Sequence, residues 1–282
     1  MKSIAVFTSG GDSSGMNACI RAVVRTGLHL GIDVYGIMHG YQGMIEGQIK
    51  LLSSHDVGNI LQRGGTILKS SRSEEFRTKE GRQKAYEHLK NHEIEGVVAI
   101  GGDGTFAGAK IFTEEFSVPF IGLPGTIDND LIGTDFTIGY DTAINNVLEA
   151  VDKIKDTAAS HERLFFVEVM GKDAGFIALR SGIGVGAAAI LIPEVHTDLN
   201  GLIENLRSAY TRKKSSSIIM VAEGDDAGGA YTIAEKVAAA LPQYDTRVSI
   251  LGHQQRGGNP SALDRLLGSQ LGNEAVKALL AG

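Results

Sequence analysis

The chain has 282 residues, 43% of them hydrophobic, enough to bury one large core or two domains of ordinary size and too many for a disordered polypeptide. Its 27 basic and 33 acidic residues leave a net charge of -6, so bulk charge offers no reason to bind a nucleic-acid backbone and any anion site must be local. The single cysteine, Cys19, excludes an internal disulfide, the start lacks a signal peptide's apolar stretch, and no apolar run reaches the roughly 18 residues of a membrane span, so a cytoplasmic location is expected.

The first predicted strand, Ile4–Phe7, runs through "TSGGDSSGMNA", Thr8 to Ala18, into a helical pattern over Asn17–Leu30. Glycines there, Gly11 among them, let the backbone come close to a ligand, and the helix N-terminus offers unpaired N–H groups to a phosphate. A tight strand-to-helix turn with no ligand would carry the same residues. After a strand at Asp33–Met38, the stretch "SSRSEEFR" supplies Arg72 and Arg77. Arginine suits phosphate because its planar fork donates in pairs, although either residue alone also reads as solvated surface. The strand Gly96–Ile100 then runs straight into Gly101-Gly102-Asp103-Gly104-Thr105. One acid among glycines at a strand's carboxyl end can hold Mg²⁺ directly or through water while bare backbone accommodates phosphate oxygens. Taken alone, this stretch fits NAD kinases and lipid kinases equally well.

Phe120–Leu123 leads into "PGTIDND", Pro124 to Asp130, which sets Thr126, Asp128 and Asp130 just past a strand. In a locally extended loop Asp128 and Asp130 leave on the same side, where one acid can take a proton and the other can orient it or sit near the metal. An Asp/Asn-rich surface turn is the ordinary alternative. Helical patterns over Thr142–Thr157 and Leu202–Thr211 alternate with strands at Leu164–Met170, Ala188–Ile192, Ser217–Ala222 and Arg247–Leu251. Such alternation predicts an α/β fold with doubly wound, mainly parallel sheets. Glu223 closes one of these strands. Arg163 in "SHERLFF", and Arg247, His253 and Arg256 in "TRVSILGHQQRGG", are further candidates for anion binding.

These motifs in this order resemble the ATP-dependent 6-phosphofructokinases of the short bacterial type, from Lys2 to Gly282. The resemblance implies two doubly wound domains with the active site in the cleft between them: an ATP-binding domain of residues 1–138 plus 257–282 and a sugar-phosphate-binding domain of residues 139–256. It implies transfer of the γ-phosphoryl group of Mg-ATP to the 1-hydroxyl of fructose 6-phosphate. Gly11, Arg72, Arg77, Gly102, Asp103, Gly104 and Thr105 fall on the ATP side, with Asp103 at the Mg²⁺. Thr126, Asp128, Asp130, Arg163, Met170, Gly171, Glu223, Arg247, His253 and Arg256 fall on the sugar side. Asp128 is the implied general base, with Thr126, Asp130 and Gly11 beside it in catalysis, and Arg163 and Arg247 reach across from a neighbouring subunit of a homotetramer.

The sequence also departs from the family. Diphosphate-using relatives typically carry aspartate at Gly104 and lysine at Gly125, so ATP is the expected donor; a diphosphate-dependent enzyme and a catalytically silent nucleotide-binding paralogue are the alternatives. Retention of Asp103, Asp128 and Asp130 speaks against the silent paralogue. The implied site for an ADP or phosphoenolpyruvate effector draws on Arg21, Arg25, Lys155, Arg212, Lys213 and Lys214. There an arginine is missing at Ser54, lysine replaces arginine at Lys155, and Ala188 stands where an acid would hold the effector's Mg²⁺, so weakened control is expected. Lys172 stands for a usual arginine and Phe176 for a common acid. Ser13 and Ser14 replace a more usual Ala-Pro pair, a change expected to matter little. Family members continue for a few dozen residues past the position of Gly282, so an exposed strand edge or apolar surface is expected here.

Overall fold

Nine strands and nine α-helices alternate through the described part of the chain. They are β1 (Ser3–Thr8), α1 (Met16–His29), β2 (Asp33–Ile37), α2 (Gly40–Ile45), β3 (Ile49–Leu51), α3 (Lys79–Asn91), β4 (Val97–Gly101), α4 (Asp103–Phe116), β5 (Phe120–Pro124), α5 (Tyr140–His161), β6 (Arg163–Val169), α6 (Phe176–Gly184), β7 (Ala189–Leu191), α7 (Leu199–Thr211), β8 (Ser217–Ala222), α8 (Ala230–Ala240), β9 (Asp245–Ile250) and α9 (Ala262–Ala281). The computed structural model describes residues 1–161, 163–212 and 217–282. Lys213 and Lys214 lie outside the described residues.

Contacts divide the chain into two units. The first comprises Met1–Thr126, Leu131–Asp141 and Arg256–Gly282, the second Ile127–Asp130 and Thr142–Gln255. This division places Ile127–Asp130 in the second unit and 139–141 and Arg256 in the first, where the boundaries expected from sequence were 1–138 plus 257–282 and 139–256. The Arg256 guanidinium donates to the Asp12 carbonyl of that first unit at 3.1 Å.

In the first unit five strands lie in the order β3-β2-β1-β4-β5, all parallel except the β2–β3 pair. β1 and β4 are buried at every position, which is why they read as unbroken apolar runs: helices cover both faces of a central parallel strand. One face packs on α1 and α9 through Ile4, Val6, Ile20, Val23, Val98, Ile100 and Val276. The other packs on α2, α3 and α4 through Phe7, Ile37, Met44, Leu89 and Phe112. Each such side chain contributes about 1.5–3 kcal/mol when fully buried. The α1–α9 seam depends on small residues. A Cβ at Gly272 would lie 2.6 Å from the Cys19 carbonyl oxygen, and one at Gly268 would lie 2.9 Å from that of Gly15.

The second unit's sheet has the order β7-β8-β6-β9, parallel throughout. β8 is buried along its whole length, whereas β9 at the edge is half-exposed. Leu164, Phe166, Ile219 and Val221 on one face of this sheet pack against Leu202, Leu206, Ile233 and Val237 of α7 and α8. The α/β class with mainly parallel sheets is therefore as the sequence predicts.

Candidate active site

The strand order of the first unit reverses between β1 and β4, and ligands in open parallel sheets settle beyond the carboxyl ends at such a reversal. The two glycine-rich loops leave those two strand ends. The first turns with Gly10 at φ 84° and Gly15 at φ 117°, conformations that favour glycine. The second is short: the chain passes through Gly102 directly into α4, whose first residue is Asp103. Asp103 therefore sits on a helix N-terminus, exposed. Both α1 and α4 have glycine at the N-cap and no side-chain cap, in contrast to α3, α7 and α9, which Thr78, Asp198 and Ser261 cap. Backbone donors at the starts of α1 and α4 thus have no capping side chain in competition with an anion. A Cβ at Gly102 or Gly104 would meet nothing within 4 Å, so the ground above this turn is open. Thr105 is buried and its hydroxyl points at the Ser9 carbonyl at 3.4 Å.

A chain of hydrogen bonds joins three loops of this unit. Ser13 donates to the Ile138 carbonyl at 2.7 Å, the Ile138 N–H donates to Pro124 at 2.8 Å, and the Gly125 N–H donates to Gly101 at 2.9 Å. Thr137 further donates to the Thr126 carbonyl at 2.6 Å. The TSGGD, GGDGT and PGT segments are in this way held in one register. Asn17, buried at the start of α1, adds a fourth segment: its amide donates to Arg63 and Gly64, and its carbonyl oxygen accepts from the Ile67 N–H. Arg256 lies against Gly11, so close that a Cβ there would stand 2.5 Å from the guanidinium.

Arg72 and Arg77 are exposed on a segment anchored by Phe76, which stacks on Tyr41 with ring centroids 3.8 Å apart. Tyr41 donates its hydroxyl to the Thr105 carbonyl at 2.6 Å, tying this segment to the GGDGT turn. Arg82 holds the segment from behind. It donates to the Phe76 and Arg77 carbonyls at 3.0 and 2.7 Å and, as a fork, to Glu115 of α4 at 2.6 and 2.8 Å. The Arg82 hydrogen bond pulls the Glu115 carboxyl below its ordinary range.

In the second unit the sugar-side candidates fall into two groups. Beyond the carboxyl end of β6, Glu223 accepts the N–H groups of Gly171 and Lys172 at 3.3 and 2.7 Å. Gln255, fully buried, accepts from the Met170 N–H at 3.2 Å and donates to the Gly252 carbonyl at 2.9 Å. Met170, Gly171, Glu223 and the loop bearing His253 are thereby brought together. Arg163 and Arg247 sit at the other end of the sheet, each donating at 2.7 Å to one oxygen of Asp245. Along β6, at roughly 3.3 Å per residue, Arg163 is roughly 20 Å from Met170, and Arg247, level with Phe165, is roughly 15 Å from it. Asp128 is half-buried and Asp130 exposed. Asn129 between them takes φ 55°, so the loop is a left-handed turn there and the same-side argument for an extended segment does not hold.

Of the expected effector residues, Arg21 is half-buried on α1, Arg25 points at the Ser54 carbonyl at 3.4 Å, and Arg212 is exposed at the end of α7. Lys155 donates to the Val185 carbonyl and lines a cavity of about 210 Å³ with Ala158, Ala188 and Ser217. Sequence reading missed Asn17, Arg82, Asp245 and Gln255. Asn17 and Gln255 lay inside quoted motifs, but only their backbone partners reveal what they hold.

Among the described residues no cluster of three or more histidine, cysteine or acidic side chains could bind a metal, and no helix is long and apolar enough to cross a membrane. A phosphofructokinase family model matches residues 3–279. The chain is 57% identical over 280 residues to the ATP-dependent 6-phosphofructokinase 2 of Bacteroides thetaiotaomicron, covering 99% of this chain and 86% of that protein. It is also 57% identical over 282 residues to the ATP-dependent 6-phosphofructokinase 1 of Thermus thermophilus, covering 100% and 87%. Among solved structures, Saccharomyces cerevisiae phosphofructokinase superposes with a TM-score of 0.94 at 41% identity, with all of this chain spanning 42% of the yeast chain. A pyrophosphate-dependent phosphofructokinase from Marinobacter aquaeolei gives 0.86 at 25% identity, over 100% of this chain and 76% of that one. The chain belongs to the phosphofructokinase family.

Proposed function

We propose that the protein is an ATP-dependent 6-phosphofructokinase, transferring the γ-phosphoryl group of ATP to the 1-hydroxyl of fructose 6-phosphate. The observation that carries this reading is the joining of three phosphate-type loops at the strand-order reversal of the first unit, in a chain 57% identical to enzymes of that name. Phosphoryl transfer asks a protein mainly for positioning and charge neutralisation, which open glycine backbone at helix N-termini supplies.

The donor follows from two glycines. Gly104 leaves unoccupied space where the side chain of a diphosphate-using relative would stand. At Gly125 a Cβ would press within 2.9 Å of Ile100 and 3.0 Å of Met16, so this chain is built for no side chain there. Asp103 suits Mg²⁺, which takes one or two carboxylates plus phosphate oxygens and needs no acidic cluster. The ion would neutralise triphosphate charge. Arg72 and Arg77 take the nucleotide phosphates, Arg256 and His253 the sugar phosphate, and Glu223 with Met170 and Gly171 the sugar. Asp128, two residues past Thr126, accepts the proton of the attacking hydroxyl, worth about 10²–10⁴-fold in rate. Arg163 and Arg247, at the far end of their own sheet, serve the site of another copy in a homotetramer.

A coupled assay with fructose 6-phosphate and Mg²⁺, run with ATP and with diphosphate side by side, tests the reading. Turnover with ATP alone is expected; turnover only with diphosphate, or none with either, overturns it.

A further inference from the structure

Ser13 and Ser14 have no expected part in the reaction, yet both are fully buried and both hydroxyls are hydrogen-bonded to segments far away in sequence. Ser14 donates to the Gly258 carbonyl at 2.8 Å, and the Arg256 and Gly257 carbonyls lie at 3.4 Å from the same oxygen. Three consecutive carbonyls thus turn toward one hydroxyl. The Arg256 side chain returns the contact by donating to Asp12, two residues before Ser14, and by lying against Gly11. Ser13 faces the other way, onto Ile138, which continues to Pro124. An alanine or proline at either position has no hydroxyl to donate and would leave these contacts unmade.

We propose that Ser14 is a positioning residue, fixing the 256–258 segment so that the Arg256 guanidinium stays beside Gly11. The inference rests on the assignment of Arg256 to the sugar phosphate.

The test compares Ser14→Ala, Ser14→Thr, Ser14→Pro and Arg256→Ala by steady-state kinetics and thermal melting. Loss of a buried donor that leaves its carbonyl unpaired should raise the KM for fructose 6-phosphate about tenfold in Ser14→Ala, with kcat and the KM for ATP within about twofold of wild type. Ser14→Thr, which keeps the hydroxyl, should restore the wild-type KM. Ser14→Pro, the residue common in the family, gives a second folded variant should Ser14→Ala melt too low to assay, and it should show the same KM increase. Unchanged KM values in Ser14→Ala or Ser14→Pro, with only the melting temperature lowered, would reduce Ser14 to a structural role and overturn the inference. If Arg256→Ala instead raises the KM for ATP, the site assignment itself fails, a result separable from the first.

Discussion

The two units distribute their candidate residues differently. In the first, the residues expected on the ATP side stand at the carboxyl ends of β1 and β4 or are tied there by side-chain hydrogen bonds. In the second, Met170 and Glu223 lie at one end of the sheet while Arg163 and Arg247 lie roughly 15–20 Å away toward the other, bound to Asp245. Residues that share a role by family likeness need not share a site within one chain. The first unit joins its loops to one another, and the second holds its arginine pair on Asp245, away from Met170 and Glu223.

Mixing inactive variants would break or sharpen this contrast most sharply. Asp128→Asn should lose about 10²–10⁴-fold in kcat, and Arg163→Ala should lose affinity for fructose 6-phosphate. Co-refolded, the two should regain turnover well above either parent, because some sites would combine an intact acid with an intact arginine. Recovery no better than the sum of the parents would return Arg163 to its own chain's surface.

The next effect is on stability and concerns the first unit alone. Gly272→Ala inserts a methyl 2.6 Å from the Cys19 carbonyl oxygen, where the backbone of α1 must yield. A loss of about 1–3 kcal/mol is expected by chemical denaturation, despite the better helix propensity of alanine. A more stable variant would show that the α1–α9 seam has slack. The smallest effect is the pH dependence of the Arg82–Glu115 pair that backs the Arg72 and Arg77 segment. Glu115 titrates below its ordinary value of about 4.3, so its contribution is present above that pH and is lost as pH falls through the lowered value. Melting temperatures of wild type and Glu115→Gln should therefore differ at pH 7 and converge as pH falls through the lowered value. A constant difference would assign the effect to packing.

Much of the fold was legible because central parallel strands are buried on both faces and so leave unbroken apolar runs: β1, β4 and β8 were read within a residue or two. Some elements with less burial were not. β3 is three half-exposed or exposed residues, and α3 buries only Gly81, Arg82, Ala85 and Leu89 among its charged residues. α9 escaped because two of its inward positions are glycines, which erase the apolar period while permitting close contact with α1. The site's glycine loops and acids were visible as motifs. The αL turn at Asn129 was not, since it follows from how the PGTIDND loop is held and not from the side chains beside it.

By itself the sequence determined the chemistry on offer: glycine loops after strands, acids and arginines suited to phosphate, and a family whose motifs run the length of the chain. Which side chains face one another was decided only by the tertiary structure. Asp245 collects Arg163 and Arg247, Gln255 joins Met170 to Gly252, and Ser14 collects three carbonyls, each across dozens or hundreds of residues. The reason is geometric. Local sequence sets a strand's burial and a turn's glycine, whereas a hydrogen bond needs donor and acceptor within about 3 Å, and only strand order and register bring distant residues that close.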